Sequence, residues 1–227
     1  MKRVLITLRS KNPGYLMNPV TPELLEQIRT KTSPPRRRDW TPYQEASTKL
    51  GKGDEYGLPE AIGIPANNLF ACLRQAGRMV KNGRTQISTA TGTKLPMYVE
   101  LEDEFLPFKG DDVAESWVPV VMRGTNPNGG EMVALTRPLF KRWEVDVSIL
   151  FDEKKINDKV VQELFEIAGA AYGLGDFRPE RGGRFGRFVV AAWVDQGKVQ
   201  TDEFGVVVTA GNGHAELSQE ELATATA

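Results

Sequence analysis

Hydrophobic positions alternate with polar ones in some segments of the chain and recur every three or four residues in others, which predicts strands and helices respectively. In residues 2–9, Val4, Ile6 and Leu8 share one face, so this run predicts a first strand. Further strands are predicted at 97–101, 117–123, 131–137, 143–151, 188–194 and 204–210. The turn residues 126–130 (NPNGG) predict a hairpin between the strands on either side.

Three segments have helical periodicity. A short helix is predicted over 22–29, with Thr21 as its N-cap and Pro22 at its first position. A second is predicted over 68–80, and a third over 157–172, where Asn157 or Asp158 can cap the helix. The predicted buried stripes are Leu69, Cys72, Leu73, Ala76 and Val80 in the second helix, and Val160, Val161, Leu164, Phe165 and Ala168 in the third.

The order of these elements predicts the fold class. With the middle hairpin treated as an addition, the order is β-α-β-β-α-β, which is typical of an α+β, ferredoxin-like (RRM-like) domain. We therefore predict a single domain over 1–210 with an irregular insertion at 11–60 and a β-rich elaboration at 86–136. Residues 211–227 are predicted to be a flexible C-terminal tail.

The charge of the chain is unevenly distributed. The 227 residues have a formal net charge of -1. Residues 1–94 nevertheless contain 16 basic and 7 acidic residues, whereas residues 95–227 contain 13 and 23. This asymmetry predicts a polyanion-binding face, and two opposite poles would also suit a head-to-tail contact between copies.

The rarest residue types exclude several classes of protein. One cysteine, Cys72, is incompatible with an intramolecular disulfide framework, and one histidine, His214, argues against histidine-rich metal sites and catalytic triads. The acidic runs at 100–104 and 111–112 lack metal-ligand spacing, so they are interpreted as solvated loops. No apolar run is long enough to span a bilayer. We expect a cytoplasmic protein with no metal, no cofactor and no membrane partner.

The most informative segment is the glycine loop, residues 173–187 (GLGDFRPERGGRFGR). Glycine lets the backbone approach a ligand closely, arginine offers forked donors for phosphate, and an aromatic ring can stack on an unpaired base. The alternative is a solvated turn in which Asp176 and Glu180 pair with two of the arginines. The candidate contacts of the loop are Gly173, Gly175, Phe177, Arg178, Arg181, Gly182, Gly183, Arg184, Phe185 and Arg187.

Two other basic groups are candidate contacts for a phosphate backbone. Arg74, Arg78 and Lys81 recur at helical spacing and predict a basic ridge on the second helix, which Arg84 extends. The run Arg36, Arg37 and Arg38 with Trp40 is a further candidate, and a solvated flexible loop is an equally good interpretation of it.

Three segments resemble the RAMP superfamily of CRISPR-associated proteins. Residues 4–17 (VLITLRSKNPGYLM) are similar to the first strand and following loop of that family. The glycine loop, between a helix and a final strand, is similar to the glycine-rich loop of that family. Ile64–Arg74 (IPANNLFACLR) is similar to the stretch that opens its first helix, although Ala-Asn-Asn replaces the usual Gly-Ser-Ser. The resemblance covers roughly 1–10, 62–80 and 140–194, and a phage-encoded relative is compatible with it.

The resemblance implies a non-catalytic subunit that grips single-stranded RNA, or DNA, by its phosphates. It also implies a homo-oligomer or a multi-subunit ribonucleoprotein. Two alternatives stay open. One is a structural protein, phage-encoded, that self-associates without nucleic acid; the other is a metal-independent RNA-processing nuclease using His214 or a tyrosine such as Tyr15, Tyr43 or Tyr56.

Overall fold

The computed structural model describes residues 1–17, 62–109, 116–123, 132–201 and 207–208. Its strands are β1 (Lys2–Ser10), β2 (Tyr15–Leu16), β3 (Gly63–Pro65), β4 (Lys81–Asn82), β5 (Thr85–Gln86), β6 (Val99–Leu101), β7 (Phe105–Pro107), β8 (Ser116–Arg123), β9 (Met132–Phe140), β10 (Glu144–Phe151), β11 (Phe188–Lys198), β12 (Gln200–Thr201) and β13 (Val207–Val208). Its helices are α1 (Ala66–Ala76) and α2 (Asp158–Ile167). The predicted mixed α+β class is confirmed. The predicted helix at 22–29, most of the insertion, the turn at 126–130 and the tail lie outside the described residues.

The main sheet has four antiparallel strands in the order β11-β1-β10-β6. Lys2 lies opposite Phe151, and Arg9 lies opposite Glu144. At one end of the sheet β1 finishes and β10 and β11 begin, and we call this the loop end. The other end, where β1 begins and β10 and β11 finish, is the hairpin end. Eight steps along β1 at about 3.4 Å each separate the two ends by about 27 Å.

One face of this sheet forms the hydrophobic core. Val4, Ile6 and Leu8 are fully buried and alternate with partly exposed residues, as the sequence predicts. They pack with buried residues of β10 and of both helices, so the helices cover this face and leave the other open. The core includes Val145, Val147, Ile149, Phe151, Leu69, Cys72, Leu73, Ala76, Val161, Leu164 and Phe165.

Both predicted helices that fall in the described part are present, with changed ends. Asn157 caps α2, because its side-chain oxygen accepts a hydrogen bond from the Val160 N–H at 3.0 Å. The predicted third helix continues past Ile167 as a wider turn over Ala168–Tyr172. The predicted second helix is shorter than expected, because α1 ends at Ala76 and Gly77 is its C-cap.

The segment predicted as a β-rich elaboration contributes strands to several sheets, and its strand β7 pairs with β3 in a two-stranded sheet. Its strand β6 belongs to the main sheet, where it pairs with β10. The β8–β9 hairpin instead forms a separate three-stranded sheet with β2. The predicted boundary at residue 86 therefore places one main-sheet strand in the elaboration, because a three-residue strand carries too little periodicity to reveal its partner.

Candidate nucleic-acid interface

The glycine loop lies at the loop end of the main sheet, and backbone hydrogen bonds hold it in place. Leu174 N donates to Gly186 O at 2.8 Å, and Gly186 N donates to Gly14 O at 2.7 Å. Asp176 N donates to Leu16 O, also at 2.7 Å. The loop is thus attached to itself and to the segment that follows β1, which fixes where its side chains start.

Two of the loop glycines are required by close backbone approach. At Gly186, where φ is 75°, a Cβ atom would overlap the Leu174 carbonyl oxygen. At Gly183 it would overlap the Phe177 carbonyl oxygen. Both positions bring two backbone segments into contact. The glycines therefore serve to pack the loop, in addition to any contact they make with a ligand.

The two loop phenylalanines pack into the protein. Phe185 is 8% exposed and forms a small buried cluster with Leu16 and Leu139, against which Phe177 packs. Phe177 has a positive φ of 47°, which is unusual for a bulky residue. Because Phe185 is buried, its ring could stack on a base only by leaving this cluster, and the predicted stacking role of both rings stays a prediction.

The loop arginines divide into an inner residue and outer residues. Arg178 is partly buried: its Nη1 donates to Gly175 O at 3.0 Å, and its Nε donates to Glu180 Oε2 at 2.8 Å. Asp176 pairs with Arg137 at 3.1 Å, outside the loop. The alternative interpretation, in which Asp176 and Glu180 pair with two loop arginines, therefore holds only for Glu180.

The outer arginines of the loop are Arg181, Arg184 and Arg187, and all three are exposed. None of them forms an ion pair with any residue that the structure describes. Arg184 lies over the Phe185 ring, with its guanidinium carbon 5.5 Å from the ring centroid. Three guanidinium groups thus face solvent from a loop whose backbone is fixed.

Two exposed lysines that the sequence analysis did not select lie beside this loop. Lys11 N donates to Arg187 O at 2.9 Å, which places Lys11 next to the start of β11. Gly14, which accepts the hydrogen bond from Gly186 N, lies so close to Lys141 that a Cβ atom added at Gly14 would be 2.6 Å from the Cα atom of Lys141. The signal that could have found them is topological, because antiparallel pairing places the end of β1 beside the start of β10. We call Lys11, Lys141, Arg181, Arg184 and Arg187 the loop-end cations.

The predicted basic ridge is not a single helix face, because the helix ends before most of its residues. Arg74 is exposed on α1, whereas Arg78, Lys81 and Arg84 follow Gly77, in the turn and hairpin after the helix. Asn82 Nδ2 donates to Lys155 O at 2.7 Å, in the segment that follows β10. These three cations therefore lie at the hairpin end, remote from the glycine loop. The candidates Arg36, Arg37, Arg38 and Trp40 lie outside the described residues.

The open face of the main sheet is balanced in charge. Arg9 Nε donates to Glu144 Oε2 at 2.7 Å, and Lys109 Nζ lies 2.6 Å from Asp146 Oδ1. Arg3 pairs with Glu102, which also accepts a hydrogen bond from Ser148. Burial of Glu102 favours its neutral form, but the hydrogen bonds from Arg3 and Ser148 outweigh this and lower its pKa. Within the described residues, Arg3 and Arg9 of the basic half thus pair with acids of the acidic half, so two separate poles do not form on this face.

Buried ionisable groups near the loop are inaccessible. Cys72 Sγ donates to Gly173 O at 3.2 Å, and burial raises the pKa of its thiol to about 12. Tyr15 is 3% exposed, and burial raises the pKa of its phenol. Neither group could touch a strand lying on the surface. Tyr43, Tyr56 and His214 lie outside the described residues.

No group of three or more potential metal ligands occurs within the ranges that the structure describes. None of the helices in those ranges has both the length and the apolar character needed to cross a membrane.

Comparison with solved structures finds similar chains, whereas the two comparisons of sequence find none. No family model and no curated protein matches the chain. A chain in the cryo-EM structure of the type III-B Cmr-beta bound to cognate target RNA is similar, with a TM-score of 0.38 and 12% sequence identity. The match covers 86% of this chain and 60% of that one, so it leaves out more than a third of the neighbour. A likeness this weak establishes neither fold nor function, and membership of the RAMP superfamily stays a prediction.

Proposed function

We propose that this protein is a non-catalytic binder of single-stranded nucleic acid, RNA in the first instance, that holds the phosphate backbone at the loop end. The observation that carries this proposal is a set of exposed arginines, Arg181, Arg184 and Arg187, on a loop with a fixed backbone. None of the three has an ion-pair partner among the residues that the structure describes. Lys11 and Lys141 extend the same surface.

The chemistry of these groups suits a phosphate backbone. A guanidinium group forms paired hydrogen bonds with phosphate oxygens, and an exposed cation releases counterions when it neutralises a phosphate. Because the loop is already ordered by its own hydrogen bonds, binding does not have to order it, which reduces the entropic cost. The open face is less suitable, because its cations already pair with carboxylates.

We also propose that the domain is ferredoxin-like. The main sheet is antiparallel, and its strands, counted along the chain, lie in the order fourth, first, third, second. One helix precedes the second of these strands and one precedes the fourth, as in a split β-α-β arrangement. This arrangement supports the assignment, in which the glycine loop connects the second helix to the last strand.

The test is a fluorescence-anisotropy titration with labelled 20-nucleotide oligouridylate and its DNA counterpart. The triple variant R181Q/R184Q/R187Q should bind both strands much more weakly than the wild type. The matched control is R181K/R184K/R187K, which retains the charges and should retain most of the affinity. Equal binding by the wild type and the glutamine variant would overturn the proposal. Cleavage of the RNA in the presence of EDTA would overturn its non-catalytic part.

Self-association is a second candidate function. Strand β11 is at the edge of the main sheet, and its Val189 and Val194 are 39% and 50% exposed. A long edge strand with exposed valines is suited to pairing with another chain. Light scattering without nucleic acid tests this function: a stable oligomer that forms fully without RNA favours it, and a monomer contradicts it.

A further inference from the structure

We infer that the chain has a second phosphate-binding surface at the hairpin end, separate from the glycine loop. It is built by the β4–β5 hairpin and the segment after β10, which Asn82 joins through its hydrogen bond to Lys155 O. Its cations are Arg78, Lys81, Arg84, Lys154 and Lys155, which we call the hairpin-end cations. This inference rests on the proposed function for the nature of its ligand.

The hairpin-end cations are uncompensated. All five are exposed, and none forms an ion pair with a described residue. Three acids of the same end are engaged by Lys2, whose Nζ lies 2.8 Å from Asp195 Oδ2, 3.6 Å from Glu153 Oε1 and in hydrogen-bond contact with Asp158. Lys198 lies 3.9 Å from the other oxygen of Glu153. Asp152 Oδ1, in the same segment, accepts a hydrogen bond from Lys154 N at 3.0 Å. Lys2, Lys198 and the five hairpin-end cations thus outnumber the four carboxylates Asp152, Glu153, Asp158 and Asp195, which leaves net positive charge for an external anion.

The position of this surface makes it independent of the loop end. The two sets of cations lie at opposite ends of β1, which is about 27 Å long, more than two Debye lengths at physiological salt. A single phosphate therefore cannot contact both sets of cations. The fitting ligand is a second stretch of phosphate backbone, on the same strand or on another, so one chain would have two phosphate-binding ends.

A two-site design separates this inference from the proposed function. The hairpin-end variant is R78Q/R84Q, and its matched control is R78K/R84K, which retains both charges at the same positions. With labelled 20-nucleotide oligouridylate, we expect R78Q/R84Q to weaken the slope of log K against log salt by about 1.4, at about 0.7 per contact. At 0.1 M salt the corresponding loss is about 25-fold, relative to binding extrapolated to 1 M salt. The control should change the slope little.

The outcomes distinguish the two ideas. If R78Q/R84Q binds like the wild type or like its control while R181Q/R184Q/R187Q loses affinity, the second surface is overturned and the proposed function stands. If only R78Q/R84Q loses affinity, the hairpin end binds phosphate and the loop-end site fails. Losses in both variants that add together in the combined variant support two separate surfaces, because distant and independent sites are additive.

Discussion

Replacing Gly186 with alanine tests whether close backbone packing fixes the glycine loop. The new Cβ would overlap the Leu174 carbonyl oxygen and would lie 2.8 Å from the Leu174 nitrogen. Gly182 is the matched control: it also has a positive φ, 77° against 75°, but a Cβ there would meet nothing within 4 Å. The pair therefore separates the cost of the backbone conformation from the cost of the overlap.

The expected destabilisation follows from the contacts. An alanine in the left-handed region costs about 1–2 kcal/mol, so Gly182→Ala should lower the free energy of unfolding by this amount. Gly186→Ala carries the same conformational cost, and the overlap also pushes the backbone at residue 186 away from that of Leu174. The variant then loses two hydrogen bonds, from Leu174 N to Gly186 O and from Gly186 N to Gly14 O, at about 1 kcal/mol each. The total destabilisation is about 3–4 kcal/mol. For a domain of this size that lowers Tm by about 6–16 °C.

Urea unfolding, followed by tryptophan fluorescence, measures both variants. Gly186→Ala should shift the midpoint well below that of Gly182→Ala at an unchanged m-value. Equal losses in the two variants would refute the reasoning, because they would show that the backbone conformation alone, and not the contact with Leu174, requires glycine.

Three further predictions concern groups away from the proposed contact. Cys72 should not react with a thiol reagent at pH 8 in the native protein but should react once urea unfolds it, because its thiol is buried and its pKa is raised to about 12. Glu102→Gln should lower the urea midpoint at pH 7. Because the pKa of Glu102 is lowered in the fold, the carboxylate contributes stability at pH values above 4.5, the ordinary pKa of a glutamate, and this contribution is lost as the pH falls. The difference in urea midpoint between the wild type and Glu102→Gln should therefore narrow towards pH 3. Asn157→Ala should destabilise the protein by about 1 kcal/mol through the lost cap, and Asn157→Ser should retain most of the stability.

Each of these predictions has an outcome that contradicts it. Rapid labelling of Cys72 in the folded protein would show that the helix packing over it opens readily. If the difference in urea midpoint between Glu102→Gln and the wild type widens below pH 4, the fold stabilises the neutral carboxylic acid of Glu102 and not its carboxylate. Equal stability of the alanine and serine variants at position 157 would remove the side-chain cap from the account of α2.

The core and the helices were predictable because they depend on local periodicity. The alternation of Val4, Ile6 and Leu8 and the helical stripe through Leu69 and Leu73 each match a buried face. The end of α1 was misjudged although its signal was present: Gly77 interrupts the pattern, yet Val80 is buried in the following turn and continues the apparent stripe.

The charged surfaces were less predictable because they depend on strand pairing. Counting charges along the chain separates a basic half from an acidic one, but the antiparallel register sets Arg9 opposite Glu144 and brings Lys2 to Asp195. The same pairing brings Lys141 to the glycine loop. No periodicity in a single segment contains these neighbours, which appear only once the order of the strands is known.

The salt dependence of RNA binding tests the central claim most directly. For a labelled 20-nucleotide oligouridylate, log K against log salt is measured for the wild type and for R181Q/R184Q/R187Q. If the three exposed arginines each neutralise one phosphate, the variant's slope should be shallower by about 2, and its affinity should be roughly 100-fold lower at 0.1 M salt, relative to binding extrapolated to 1 M salt. Identical slopes, or wild-type binding that is insensitive to salt, would contradict the claim that the glycine loop holds a phosphate backbone.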